Sequence, residues 1–191
     1  MISTFTALFD SNVLYGARIR SLLMELAMSG LFRARWSPDI NREWMRAVHE
    51  KTGIELDRLK YVAGCMERAV PDGLVSGYET LIPALTLPDP DDRHVLAAAI
   101  RCSASAIVTF NEKDFPKDSL DEFGIHTRHP DDFILDVDGI NSGTLMEAAR
   151  ADLAHYVNPT LTPEEYIADL QAAGLSGTAA HLTRLKVLLT S

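Results

Sequence analysis

Short apolar runs that end in an acid or an amide and hand over to a helical period recur along this chain, and that alternation restricts the fold more than any other feature. Phe5 to Phe9 reads as a strand ending in Asp10-Ser11-Asn12, after which Val13, Leu14, Ala17, Leu22, Leu23, Leu26 and Ala27 keep a helical period up to Gly30. Phe32 to Trp36 reads as a second strand. Ser37-Pro38 then supplies a cap and a first-turn proline for a helix running to Gly53, with Glu43 near its start. Leu56 to Val70 is a further helix, stopped at Pro71-Asp72-Gly73. Leu81 to Leu87 is apolar enough for a buried strand, with Pro83 placing part of it at an end or an edge. The acidic turn Pro88-Asp89-Pro90-Asp91-Asp92 leads into a helix from Arg93 to about Cys102. Ala106 to Thr109 is a short buried strand followed by the loop Phe110 to Pro116. Strands alternating with helices at this spacing predict an α/β fold, a parallel sheet covered by helices on both faces. From about His129 strand-like runs vanish, and Thr144 to Tyr156, Pro163 to Ala173 and Ser176 to Leu189 form amphipathic segments. An α/β domain over residues 1–135 and a helical extension over 136–191 are expected.

Composition narrows the function classes. Apolar residues at 47% of 191 can fill the core of such a domain. Stretches such as Val95 to Ile100 fall far short of the roughly 20 apolar residues that cross a bilayer. The N-terminal stretch lacks a basic segment followed by an apolar one and a cleavage site, so a cytoplasmic protein is expected. Cys65 and Cys102 have no partner His or Cys at metal spacing; they read as reduced core residues, without a disulfide framework or zinc site. The formal charge of −9 argues against a polyanionic partner, yet residues 1–60 carry nine Lys/Arg against seven Asp/Glu. That basic excess is either ordinary surface variation or an RNA-facing patch.

In an open parallel sheet, ligands bind beyond the carboxyl ends of the strands. Asp10 follows the first strand, Asp91 and Asp92 follow the apolar run near Leu87, and Asn111 with Asp114 follows Ala106 to Thr109. Glu43, early in its helix, can project toward the same edge. Facing carboxylates repel unless they are protonated or neutralised, and a divalent cation that prefers hard oxygen ligands is the usual answer. Such a site suits hydrolysis of a phosphodiester by in-line displacement. Taken singly, each residue has a plainer use: Asp10, Asp91 or Asp92 can cap a helix, Glu43 can be a solvated helix residue, and Asn111 or Asp114 can shape a turn.

The stretches Leu8-Phe9-Asp10-Ser11-Asn12-Val13-Leu14, Asp91-Asp92-Arg93-His94-Val95-Leu96-Ala97-Ala98-Ala99 and Ile107-Val108-Thr109-Phe110-Asn111-Glu112-Lys113-Asp114-Phe115, with Glu43 between the first two, resemble the signature blocks of PIN-domain proteins. The resemblance covers about residues 3–135. Within the family it is nearest to VapC-type toxins, the ribonuclease halves of bacterial toxin–antitoxin pairs, and the helical tail resembles an extension found in one VapC subgroup. The resemblance implies an endoribonuclease dependent on Mg²⁺ or Mn²⁺, with residues 1–135 as the nuclease domain. Asp10 and Asp92 would be the principal metal ligands, with Asp91 competing with its neighbour, and Glu43 would be the acid from the helix. The fourth position would be filled by Asn111 as a neutral amide or by Asp114 as a displaced carboxylate. Ser11 and Asn12 would orient Asp10 and bound water, and Thr109 would hydrogen-bond in the pocket.

Arg42 and Arg46 flank Glu43 and are candidates for the RNA backbone, although Arg46 is also spaced to pair with Glu50. His94 is read first as a buried structural ring, with phosphate contact the alternative, and Trp36 and Trp44 as core or interface residues, with base stacking the alternative. The implied partners are an RNA, with transfer or ribosomal RNA as candidates, a cognate antitoxin protein and a second copy of the chain. Two other readings stay open: an impaired PIN scaffold that only binds RNA or protein, and a phosphoryl-accepting receiver-like domain using Lys113.

Overall fold

The computed structural model describes residues 5–190; residues 1–4 and 191, at the outer ends of the two expected parts, lie outside the described residues. Four strands, β1 (Phe5–Phe9), β2 (Phe32–Arg35), β3 (Ala106–Val108) and β4 (His126–Arg128), form one parallel sheet in the order β2-β1-β3-β4. Successive side chains of a strand point to opposite faces, so the unbroken burial of β3 and of Thr6 to Phe9 means that both faces of the central strands are covered. On one face Phe5, Phe9 and Phe32 meet Phe133 of a helix over Pro130–Ile140, edge to face with ring centroids 5.0–6.1 Å apart. The chain thus has the expected α/β architecture.

The helices begin where their capping chemistry directs. After β1 come α1 (Ser11–Tyr15) and α2 (Ala17–Met28), so the single helix expected up to Gly30 is broken at Gly16, which leaves the helical region with ψ at 113°. In α3 (Pro38–Thr52) the Ser37 hydroxyl accepts from Ile40 N–H and Pro38 holds the first helical position, while Gly53 closes the helix in the left-handed region. Next come α4 (Leu56–Ala69) and, beyond a loop, α5 (Arg93–Arg101), which packs against β1 and β3. Trp36 and Trp44 are both buried in the core, as expected. Cys65 and Cys102 are free thiols, each only partly buried rather than sealed in the core.

Two expectations are corrected. Leu81 to Leu87 is not a strand: Glu79–Ala84 forms a 3-10 helix with Pro83 inside it, and of the seven residues only Leu87 is buried. Proline has no N–H for a ladder, and the stretch instead lies against α5. Asp92 therefore reaches the site from the start of a helix and not from a strand end. The sequence reading also passed over β4 and over α7 (Pro130–Ile140), reached after the short α6 (Lys117–Leu120). α7 runs continuously through residues 135 and 136, where the division between domain and extension was drawn.

The extension continues with α8 (Thr144–Ala154), α9 (Pro163–Ala172) and α10 (Ser176–Arg184). α9 opens with a capping box in which Thr162 and Glu165 satisfy each other's backbone N–H. Buried polar groups bind this bundle to the α/β core. The fully buried Asp152 of α8 accepts hydrogen bonds from Ser21 of α2 and from Tyr166 of α9. Arg18 of α2 reaches Asp169 of α9 at 2.5 Å with its guanidinium over the Tyr156 ring. Asp131 of α7 accepts from the N–H groups of Gly177 and Thr178, capping α10 from outside. Asp152→Ala strands the buried Tyr166 hydroxyl and the part-buried Ser21 hydroxyl, so we expect it to cost about 2–3 kcal/mol in urea unfolding followed by tryptophan fluorescence. A loss below about 0.5 kcal/mol, the size of an ordinary surface change, would mean that the bundle is not held this way.

Candidate active site

Asp10 stands one residue past β1, and its N–H still donates to the Val108 carbonyl of β3 at 3.0 Å, which fixes its backbone at the seam of the two central strands. Its side chain is buried, at 4% exposure. Oδ1 accepts from Ser11 N–H at 2.6 Å; Oδ2 accepts from the Thr109 hydroxyl and from Asn12 Nδ2, both at 2.7 Å. The same Asn12 amide donates to Thr109 Oγ1 at 2.9 Å, and Asn12 Oδ1 accepts from Phe110 N–H at 3.1 Å, so one asparagine stitches the end of β1 to the residues leaving β3. A carboxylate offers about four lone-pair positions, and three of Asp10's are taken. One, on Oδ1, is left to face a ligand. Burial pushes the Asp10 carboxyl above its ordinary range against the pull of Thr109 and Ser11, and the charge of Glu43 adds to the rise.

Glu43 comes from the second turn of α3, and His94, the second residue of α5, sets its Nε2 2.7 Å from Glu43 Oε1. Burial alone would raise the Glu43 carboxyl, but the hydrogen bond and charge of His94, with a hydrogen bond from the Ser11 hydroxyl, hold it below the usual value. Asp92 is strongly perturbed as well. Burial first, then the charges of Asp10, Asp89, Asp114 and Glu43, push its carboxyl up to about 7. Acids from the end of β1, from α3, from the turn before α5 and from the loop after β3 therefore share one field.

Among the described residues, no three His, Cys, Asp or Glu side chains stand close enough together to form a ready-made metal cage. The donor set nevertheless fits a hard divalent cation: it consists of carboxylate oxygens whose mutual repulsion is unrelieved, and Mg²⁺ binds through one or two carboxylates while keeping several waters. An apolar cleft of about 440 Å³ between α2 and α4, lined by residues such as Met24, Met28, Val62 and Met66, holds none of these acids.

Residues 6–113 match the profile of the PIN domain, more than half of the chain. The chain belongs to the PIN-domain family. Residues 130–184, from the start of α7 to the end of α10, match the profile of the VapC50 C-terminal domain. Over 103 residues this PIN-domain protein is 38% identical to a Mycobacterium tuberculosis (strain H37Rv) protein named "Putative ribonuclease VapC50"; the aligned region is 52% of this chain and 60% of the relative's length. No solved structure matches significantly.

Within the PIN domain, Asp10, Glu43, Asp92 and Asp114 act on one another electrostatically. Asp91 is exposed and is absent from the charges that raise its neighbour Asp92. Asn111 is exposed too, and its N–H donates to Thr109 Oγ1 at 3.0 Å, whereas Asp114 is partly buried. Thr109 is fully buried, and its hydroxyl donates to Asp10. Arg42 pairs with Asp39, and Arg46 lies 3.4 Å from Glu50, as its spacing allowed, with both arginine side chains largely exposed. Two partners escaped sequence reasoning. Asp89 caps the turn Pro90–Asp92 through Asp91 N–H at 2.9 Å while adding its charge to the Asp92 field. His94 turned out to face Glu43, a pairing between residues 51 positions apart for which no local pattern exists.

The raised carboxyls make a prediction about pH. A group whose folded value lies above its unfolded one stabilises the fold fully below the unfolded value, and that contribution is lost as pH rises through the folded value. Asp92, with Asp10 in the same direction, should thus make the metal-free protein progressively less stable as pH rises from about 4 towards 7. Glu43 acts oppositely, but only at the acid end. Thermal melts in EDTA across this range should show a shallower decline for Asp92→Asn than for the parent; equal slopes would contradict the shared field.

Proposed function

We propose that this PIN-domain protein is a divalent-metal-dependent endoribonuclease that hydrolyses RNA phosphodiesters, and that it is the toxin of a type II toxin–antitoxin pair. The observation that carries the reading is the Asp92 carboxyl, raised to about 7 first by burial and then by the charges of acids drawn from separate parts of the chain. Such an arrangement is costly to keep without a cation, and a cation held by oxygen ligands is well suited to phosphodiester hydrolysis by in-line displacement. The name of the mycobacterial relative, which includes "ribonuclease", supports the same choice of substrate.

In this reading Asp10, Asp92, Glu43 and Asp114 hold the ion, with Asp92 favoured over Asp91 and Asp114 over Asn111. When bound, Mg²⁺ or Mn²⁺ supplies charge stabilisation for the pentavalent phosphate and eases deprotonation of the attacking water. The chain's own residues prepare that arrangement. Ser11, Asn12 and Thr109 fix the direction of the Asp10 carboxylate before anything binds, so no reorganisation of that group is needed during the reaction. The Ser11 hydroxyl and His94 direct Glu43. Arg42 and Arg46, exposed on the same helix as Glu43, would meet the RNA backbone, with transfer or ribosomal RNA as the candidate substrate.

The wider assignments belong to the same proposal. They are a cognate antitoxin that blocks the acidic hollow, a homodimer and action in the cytoplasm; no helix among the described residues is long and apolar enough to cross a membrane. The division into a nuclease domain and a helical extension is also part of it, with the extension starting at α7 in preference to residue 136. Membership of the PIN-domain family sets the receiver-like alternative aside. The alternative of an impaired binding scaffold turns on the fourth position, where the charge that Asp114 presents to Asp92 favours the enzyme reading.

Cleavage of a labelled RNA mixture tests the proposal. Activity should need Mn²⁺ or Mg²⁺, vanish in EDTA and fall by about 100-fold or more in Asp10→Asn, because loss of a principal ligand exceeds the cost of losing a residue that only orients one. A folded protein that binds RNA but never cuts it with either metal would return the chain to the scaffold reading.

A further inference from the structure

We propose that His94 is a positioning residue for the metal hollow: its Nε2–H holds the Glu43 carboxylate, reaching in from α3, in the orientation that a divalent ion needs. The inference rests on the metal-nuclease reading above and extends it to a residue outside the acidic set. His94 sits in the first turn of α5, two residues past Asp92, and its side chain is only 12% exposed. Glu43, by contrast, is 42% exposed, so the contact joins a fixed ring to a carboxylate that is otherwise open to solvent. A glutamate has three side-chain torsions to order, and a half-exposed one held at a single end samples several orientations. The imidazole, locked by the helix that also presents Asp92, removes that freedom.

The other ring nitrogen indicates the direction of the bond. His94 Nδ1 is buried and has no hydrogen-bond partner among the described residues. A proton placed there would be a buried donor without an acceptor, whereas a proton on Nε2 is received by Glu43 Oε1 at 2.7 Å. The ring is therefore a donor aimed at the carboxylate. With the Ser11 hydroxyl as a second donor, Glu43 is approached from both sequence blocks that carry the principal acids, Asp10-Ser11 and Asp92-Arg93-His94. A ring needed only for packing has no reason to make its one side-chain hydrogen bond to an acid of the site.

Groups that orient metal-binding carboxylates typically change metal affinity by about 10–100-fold when removed. Mn²⁺ binding to the full chain, followed by electron paramagnetic resonance at one fixed pH with thermal melts to verify folding, reads this directly. His94→Ala should weaken Mn²⁺ by about 10–100-fold. His94→Phe, which keeps a ring in place and lacks the donor, should do the same and serves if the alanine variant does not fold. His94→Gln, whose amide restores an N–H near the Nε2 position, should recover most of the affinity. In a Glu43→Ala background, His94→Phe should change binding by less than about twofold, because its target is gone. Unchanged affinity in folded His94→Ala and His94→Phe, a glutamine variant no better than phenylalanine, a full effect that persists without Glu43, or a parent chain that binds no Mn²⁺ would each overturn the inference. Since RNA cleavage is not the readout, a chain that binds Mn²⁺ in this pattern and cuts no RNA would refute the nuclease proposal while leaving the role of His94 intact.

Discussion

The Asp10 carboxylate, buried at the junction of the two central strands and held by Ser11 N–H, Asn12 and Thr109, is the interaction on which the rest of the site depends. Burying an acid in this way is unfavourable unless hydrogen bonds replace the water it has lost. The chain supplies them from its own backbone turn and from the first side chain beyond β3. Because Asn12 also receives the Phe110 N–H, the bonds that satisfy Asp10 are the bonds that set the two strands' exits side by side. Strand pairing and site geometry are thus one construction, and a change to Asn12 or Thr109 would be felt in both.

Around that fixed point the remaining acids are arranged against their own stability. Asp92 is raised by burial first and then by four neighbouring carboxylates, whereas Glu43 has His94 set against it. Functional sites commonly carry such perturbed groups, since an arrangement that relaxed itself would have no free energy to offer a ligand. Glu43 differs in kind: its partners keep it ionised, so it is ready to accept a cation at pH values where Asp92 still shares its proton.

The extension is no loose tail. Asp152, Arg18 and Asp131 tie it to α2 and α7 through buried or half-buried polar contacts. It also comes close to the site itself. Gly174, between α9 and α10, adopts a φ of +94°, and a Cβ there would lie 3.2 Å from the Phe110 ring. Phe110 follows Thr109 directly and gives its N–H to Asn12, so the extension rests on the far side of the residue that Asn12 holds. A Cβ at Gly174 would be tight against the ring and strained at this φ, so glycine suits both the turn and the approach.

Several features of this protein follow from local rules that need no tertiary knowledge. β1 and β3 were readable because largely apolar runs suit strands buried on both faces, whereas in the edge strand β2 Phe32 and Ala34 are buried and alternate with Arg33 and Arg35. α3 and α9 were readable because Ser37-Pro38 and Thr162-Pro163-Glu164-Glu165 are chemical instructions for a helix start. α7 carries the same signal in His129-Pro130-Asp131-Asp132 and was overlooked within a stretch read as featureless, whereas β4 had no pattern to find, with His126 and Arg128 both exposed. What the amino-acid order determined alone was the set of acids and their placement after strands or at helix starts, since capping and periodicity act over a few residues. Only the folded chain decided that Asp114 and Asp89 join the field at Asp92 while Asp91 turns outward, and that His94 faces Glu43. Those outcomes depend on distances between segments far apart in sequence, and long-range burial and Coulomb interactions exist only once the sheet has brought the segments together.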